Sequence, residues 1–204
     1  MNAIDVSGIR KAFQLGAKLE HPINLSIGQP DFAVPEPIKQ AAIDVIRNDR
    51  NGYTLTTGDQ TLLQSIRGHV QRDVGWDMES DTLDAIVTSG TSGALLLSFM
   101  ALLDPGDEAI VADPYFVVYT ALGPMTNATI TLCDTYPDFR MTAERVEPLL
   151  TDRTKIVLVN SPANPTGVVL TDDELRDLAE LCRSRGVMLI SDENSDEVIP
   201  IDYR

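Results

Sequence analysis

Residues 155–167, Lys-Ile-Val-Leu-Val-Asn-Ser-Pro-Ala-Asn-Pro-Thr-Gly, leave the chain few ways to fold. Ile156 to Val159 is a short run rich in β-branched residues with no polar position, the pattern of a strand buried on both faces. The run stops at Asn160, and two prolines and a glycine between Asn160 and Gly167 forbid regular structure there. A helix signal follows at Thr171. The stretch therefore predicts a loop at the carboxyl end of a parallel strand, where open α/β sheets bind ligands. Asn164 precedes Pro165, so its backbone is held extended and its carboxamide is aimed. On these residues alone, a ligand-facing asparagine and a rigid turn that satisfies its own backbone are equally good readings.

The same alternation recurs along the chain. Strands are predicted at 84–88, 109–111, 128–132, 156–159 and 187–190. Between and before them lie helical stripes. Ile38, Ala41, Ala42, Val45 and Ile46 repeat at helical spacing behind Pro37. Leu62, Leu63, Ile66 and Val70 make a second face, with His69 beside it and given no role. Ala94 to Leu103 is a third helix, 141–150 a fourth. Thr171-Asp172-Asp173-Glu174 is a capping box, Leu175, Leu178, Leu181 and Cys182 form the buried face behind it, and Gly186 ends that helix. Strand–helix alternation of this kind predicts a three-layer α/β/α domain with a mostly parallel sheet.

Composition narrows the function classes. With 204 residues the chain can bury one good core. A formal charge of −15 argues against a nucleic-acid partner and against an anionic membrane surface. The longest apolar stretch, 94–103, is too short to span a bilayer, and the N-terminus lacks the apolar core of a signal peptide. A cytoplasmic location follows as the default. Cys133 and Cys182 are far apart with no Cys-x-x-Cys, so they predict buried thiols and no metal site. No Gly-x-Gly-x-x-Gly follows the first strand, which argues against a dinucleotide-binding domain.

Ser89-Gly90-Thr91-Ser92-Gly93 joins a strand to a helix. Such a turn presents backbone N–H groups at the positive end of the helix and suits a phosphate dianion; it also serves as a plain tight turn. Ser191-Asp192-Glu193 ends the fifth strand, where a carboxylate needs a partner.

Taken in order, Ser-Pro-Ala-Asn-Pro-Thr-Gly at 161–167, the glycine turn at 90–92, Phe116 after Asp113-Pro114-Tyr115, and Asp192-Glu193 resemble the landmarks of pyridoxal-phosphate aminotransferases of fold type I, classes I and II. The resemblance runs from about Ile23 to Glu193. It implies pyridoxal 5'-phosphate as cofactor, an amino acid and a 2-oxo acid as substrates, and a homodimer for the full-length protein. It implies that Gly90, Thr91 and Ser92 hold the cofactor phosphate, that Phe116 stacks on the pyridine, and that Asn164 donates to its phenolic oxygen. It implies too that Asp192 keeps the ring nitrogen charged, so that the ring can act as an electron sink. It further implies that Tyr53, in Tyr53-Thr54-Leu55-Thr56-Thr57-Gly58, reaches a neighbouring subunit's phosphate and that Gly28 lies beside the substrate carboxylate. By the same resemblance residues 1–32 are an N-terminal arm and the start of the small domain, and 33–204 part of the large, cofactor-binding domain.

Three departures accompany it. Leu62-Leu63 stands where the family has leucine-arginine. Ser195 stands where a tyrosine donates to the phenolic oxygen, and serine is too short for that reach. The family's Schiff-base lysine lies beyond the aspartate, whereas Lys11, Lys18, Lys39 and Lys155 are the only lysines in these 204 residues. None is placed for that role, so no catalytic residue is assigned and activity by this chain alone is not expected. Two alternatives stand beside an aminotransferase: a β-lyase or cyclopropane-carboxylate synthase with the same cofactor, and a non-catalytic remnant or binding module of the same fold. Family sheets place their final strands between the first and the fifth. Without them residues 85–88 lack neighbours and 187–190 has a bare edge, which predicts marginal stability or a gap closed another way.

Overall fold

The computed structural model describes residues 32–193, with residues 15, 16, 19–21, 23 and 30. Gly28 and Ser195 lie outside the described residues. The chain divides into two compact units between Gly90 and Thr91.

The first unit is built from helices and turns. Helix α1 (Glu36–Arg47) has Pro37 in its first turn and Arg47 in its last, both suited to those ends. The helix forms as its stripe predicts, but every residue of it is exposed, Ile46 to 76%. Helix α2 (Gln60–His69) is capped by Asp59, whose carboxylate accepts from the N–H groups of Thr61 and Leu62. Of its predicted face only Leu63 is fully buried. A π-helical turn, Val70–Val74, follows and ends at Gly75.

Residues 84–88 correct the sequence reading, because they form no strand. A strand exists by its ladder, and among the described residues this segment has one backbone hydrogen bond to a distant segment, from Val87 N–H to the Thr57 carbonyl at 2.8 Å. That approach is what requires glycine at 58. Its φ is +125°, and a Cβ there would lie 2.7 Å from a Val87 methyl carbon.

The second unit carries the sheet. Helix α3 (Gly90–Leu102) leads into β1 (Glu108–Asp113); α4 (Val118–Thr126) leads into β2 (Thr129–Asp134). The short α5 (Ala143–Val146) and a 3-10 turn (Glu147–Leu149) precede β3 (Thr154–Asn160). Helix α6 (Asp172–Arg185) precedes β4 (Met188–Asp192). The strands are all parallel in the order β2-β1-β3-β4. The three-layer α/β/α architecture expected from the sequence is present, with a sheet that is parallel throughout.

Alternating side chains divide the core between the two faces. Ala109, Val111, Ile156 and Leu158 pack with Leu95, Phe99 and Leu103 of the α3 segment and with Tyr119 and Leu122 of α4. Ile110, Cys133, Val157 and Val159 pack on the other face with Val146, Leu178 and Cys182 of α5 and α6. Leu178 is fully buried there, and trimming it to alanine should cost about 2–5 kcal/mol.

Two helices differ from the sequence reading. Predicted helix 141–150 is broken into α5 and the 3-10 turn, because Pro148 cannot donate a backbone hydrogen bond. Helix α4, absent from the sequence reading, contains Gly123 and Pro124. Within it Thr126 Oγ1 donates to the carbonyls of Leu122 and Gly123, and Asn127 ends the helix with φ +56°. Glycine at 123 is set by packing: a Cβ would lie 2.8 Å from Ile130 Cγ1 and 3.0 Å from the Ala128 carbonyl oxygen. Among the described residues no helix is long and apolar enough to cross a membrane, and no group of three or more His, Cys, Asp or Glu is placed to hold a metal ion.

Candidate functional site

Parallel strands place all their carboxyl ends on one edge of the sheet. There β3 ends at Asn160 and β4 at Asp192, which are register partners. The loop from 113 to 117 leaves β1 at the same edge and carries Phe116 to the start of α4. Helix α3 returns to the opposite end of the sheet before β1 begins, so its amino end lies at the carboxyl edge as well.

Asp192 is the centre of the arrangement. Its Oδ2 accepts from the Tyr119 hydroxyl at 2.6 Å. Tyr119 is 2% exposed, and its ring meets Phe116 edge to face, with centroids 5.8 Å apart at 82°. Burial first, and then the Asp192 carboxylate, push the Tyr119 phenol well above its ordinary range, so it stays a donor. Among the described residues no cation pairs with Asp192; its side-chain partner is a neutral hydroxyl.

Asn160 joins this centre to the loop after β3. Its Nδ2 donates to the main-chain carbonyl of Asp192 at 2.7 Å, and its Oδ1 accepts from the main-chain N–H of Asn164 at 2.6 Å. The loop is closed on itself beyond that point. Ala163 N–H bonds the Val168 carbonyl, Gly167 N–H bonds the Ala163 carbonyl, and Leu170 N–H bonds Ser161 Oγ. Asn164 is exposed, and among the described residues its carboxamide has no partner.

The other predicted positions lie as follows. Gly90 opens α3 with φ +67° and its N–H bonds the Thr88 carbonyl at 2.9 Å, while Gly90, Thr91 and Ser92 are exposed residues in the first turn. Phe116 is half-buried. Tyr53 is fully exposed in the first unit. Lys155 opens β3 at the end of the strand away from Asn160, donating to the Asp152 carbonyl. The structure thus brings Asn164 and Asp192 together through Asn160, with Phe116 beside Tyr119.

Two residues of this group were missed in the sequence. Tyr119 reads there as one more aromatic of an apolar run. The available signal was a phenol one helical turn after Phe116 that, once buried, requires a hydrogen-bond partner. Asn160 reads as the first residue of a loop, although a polar residue closing a fully buried strand also requires partners.

Nearby, Arg140 forms a two-pronged pair with Glu174 at 2.6 and 2.7 Å and reaches the Val169 carbonyl. The Arg140 bond, then the Thr171 N–H, hold the Glu174 carboxyl down at about 2. Thr171 and Glu174 complete the predicted capping box of α6.

Comparison with known proteins gives this arrangement its family. Residues 20–194 match the model of aminotransferase class I and II, so the chain belongs to that family. It is 37% identical over 198 residues to a probable N-acetyl-LL-diaminopimelate aminotransferase of Bacillus subtilis, covering 96% of this chain and 50% of that protein. It is 38% identical to an aspartate aminotransferase of Thermotoga maritima, covering 94% and 51% respectively. Among solved structures, the aspartate aminotransferase from Thermus thermophilus with maleate superposes with a TM-score of 0.86 at 32% identity, over 94% of this chain and 51% of that one. The chain spans about half the length of the relatives it matches.

Proposed function

We propose that the protein carrying this chain exchanges an amino group between an amino acid and a 2-oxo acid, with pyridoxal 5'-phosphate held at the carboxyl edge of the sheet. The observation that carries this reading is Asp192: a carboxylate fixed by a buried neutral donor and lacking a cation among the described residues. Such a group is stabilised by a charged N–H supplied from outside the chain. The residues present fit the cofactor. Tyr119 occupies Oδ2 of Asp192 and leaves Oδ1 for the ring N–H. Asn164 has an uncommitted carboxamide for the phenolic oxygen. The exposed first turn of α3 at Thr91 and Ser92, with Gly90 bonded to the Thr88 carbonyl, suits a phosphate, and the half-buried Phe116 ring offers a face. When bound, the cofactor supplies an electron sink for the substrate's α-carbon electrons. The chain's own part is to bind it, orient it and keep a proton on its ring nitrogen, which Asp192 does as acceptor and Tyr119 does by holding Asp192 still. In this reading Tyr53 and Gly28 serve the neighbouring subunit's phosphate and the substrate carboxylate, in a cytoplasmic homodimer.

Titration of the chain with pyridoxal phosphate, followed by absorbance and equilibrium dialysis, tests the reading. The expected result is saturable binding that Asp192→Asn and Asn164→Ala each weaken, with Lys155→Ala unchanged. Absence of binding, or binding lost only with Lys155, overturns it.

A further inference from the structure

Asn160 makes two hydrogen bonds to two different segments, and both are to main chain. One holds the carbonyl of Asp192, at the end of β4. The other holds the N–H of Asn164, in the loop after β3. The loop's remaining backbone bonds, at Ala163, Gly167 and Leu170, close it internally. Asn164 N–H is thus tied to the strand ends through one side chain.

We propose that Asn160 is the positioning residue of the cofactor site, a planar carboxamide that fixes the spacing between the side chains of Asn164 and Asp192. The proposal rests on the function proposed above, since those side chains would grip two groups, the phenolic oxygen and the nitrogen, of one rigid ring. The ring's phenolic oxygen and its nitrogen are a fixed distance apart, so two donor and acceptor groups on separate loops need a common reference. Asparagine suits the place because its carboxamide donates from one atom and accepts at the other in one plane. Aspartate keeps only the acceptor and would face the Asp192 carbonyl with like polarity. Alanine keeps neither. The role is separate from direct contact: both groups of Asn160 are already used within the chain, so it acts on the ring only through its neighbours.

The test compares the chain with Asn160→Asp and Asn160→Ala. In the cofactor-free protein, hydrogen exchange at the Asn164 amide is expected to rise about tenfold in Asn160→Ala and to stay within about twofold in Asn160→Asp, since a single hydrogen bond is worth about that much. The carbonyl carbon resonance of Asp192 should shift in both. With pyridoxal phosphate, both variants should bind about tenfold more weakly, and in an Asn164→Ala background the further loss from Asn160→Ala should shrink to about threefold or less. The pyridine nitrogen resonance of labelled cofactor should move in Asn160→Asp, a signature that general loosening of the fold would not produce. Unchanged exchange at Asn164 in Asn160→Ala, or strictly additive losses in the double variant, overturns the proposal. If Asn160→Ala does not fold, the isosteric Asn160→Asp decides through the Asp192 carbonyl and the nitrogen resonance. If the unaltered chain binds no cofactor, the functional reading falls, and unaltered exchange in the cofactor-free variants would overturn the positioning claim separately.

Discussion

The two ends of the sheet solve one problem in opposite ways. At the amino end Glu108 is 5% exposed at the start of β1, and the chain supplies what it needs. Thr151 Oγ1 donates to Oε2 at 2.6 Å, Arg153 pairs with Oε1 at 2.5 Å, and the Glu108 N–H returns to the Arg153 carbonyl. At the carboxyl end Asp192 closes β4 with a hydroxyl and no cation among the described residues. Burying a carboxylate without charge compensation is unfavourable, and at the amino end the fold avoids that state. The proposed cofactor site rests on this contrast: one carboxylate is paired with a cation within the chain, the other has a neutral hydroxyl. Position at the carboxyl edge is not the cause, because Glu174 lies there too and is fully paired with Arg140.

The largest expected effect separates binding from stability. Asp192→Asn keeps an acceptor for Tyr119 and removes only the charge. Cofactor affinity should fall 10- to 100-fold, about 1.5–3 kcal/mol for one charge-assisted bond, while a denaturant titration shows stability changed by less than about 1 kcal/mol. Equal affinity in this variant would erase the contrast. Next comes Glu174→Gln, the paired control at the same end. Its carboxyl is lowered from 4.5 to about 2 by Arg140 and the Thr171 N–H. A lowered pKa contributes stability that is complete above about 4.5 and is lost as the pH falls through about 2. After allowance for solvent around the pair, the loss should be about 2 kcal/mol at neutral pH. The variant should flatten the acid limb of a stability–pH profile without touching cofactor binding.

Tyr119→Phe should cost about 1 kcal/mol at pH 7, read by thermal melting, because the half-buried Asp192 carboxylate loses its donor. Its alkaline signature is sharper. A phenol whose pKa is raised by folding contributes stability that is complete below about 10 and is lost as the pH rises beyond it. Ultraviolet titration should find Tyr119 silent while exposed tyrosines ionise, and Tyr119→Phe should remove that part of the alkaline slope. Glu108→Gln is the smallest. It keeps the Thr151 bond and loses a pair whose arginine is largely exposed, so a chemical-denaturation midpoint should report less than about 1 kcal/mol, with cofactor affinity unchanged.

Local chemistry was legible where it was complete in the sequence. The buried runs of β1 and β3, the capping box at Thr171, and the left-handed Gly186 that ends α6 all stand where their residues put them. What failed depended on distant partners. Residues 84–88 have the composition of a strand, but composition cannot supply a ladder. The α1 stripe is amphipathic, yet nothing in a stripe says what will cover it. Helix α4 was not placed from the sequence, and the glycine at 123 is required by the close pass of Ile130, a partner outside the helix. At the candidate site Asn164, Phe116 and Asp192 were visible as motif residues. Tyr119 and Asn160 were not, since their bonds to Asp192 join residues 73 and 32 positions apart.

Cys133 and Cys182 both lie in the layer formed with α5 and α6, essentially sealed from water, and burial raises each thiol to about 11. An alkylating reagent added to the native chain should therefore find nothing to label until that layer parts from the sheet. The pair is a built-in chronometer for opening on one side of the molecule, and it will not register motion of α3 or α4 on the other.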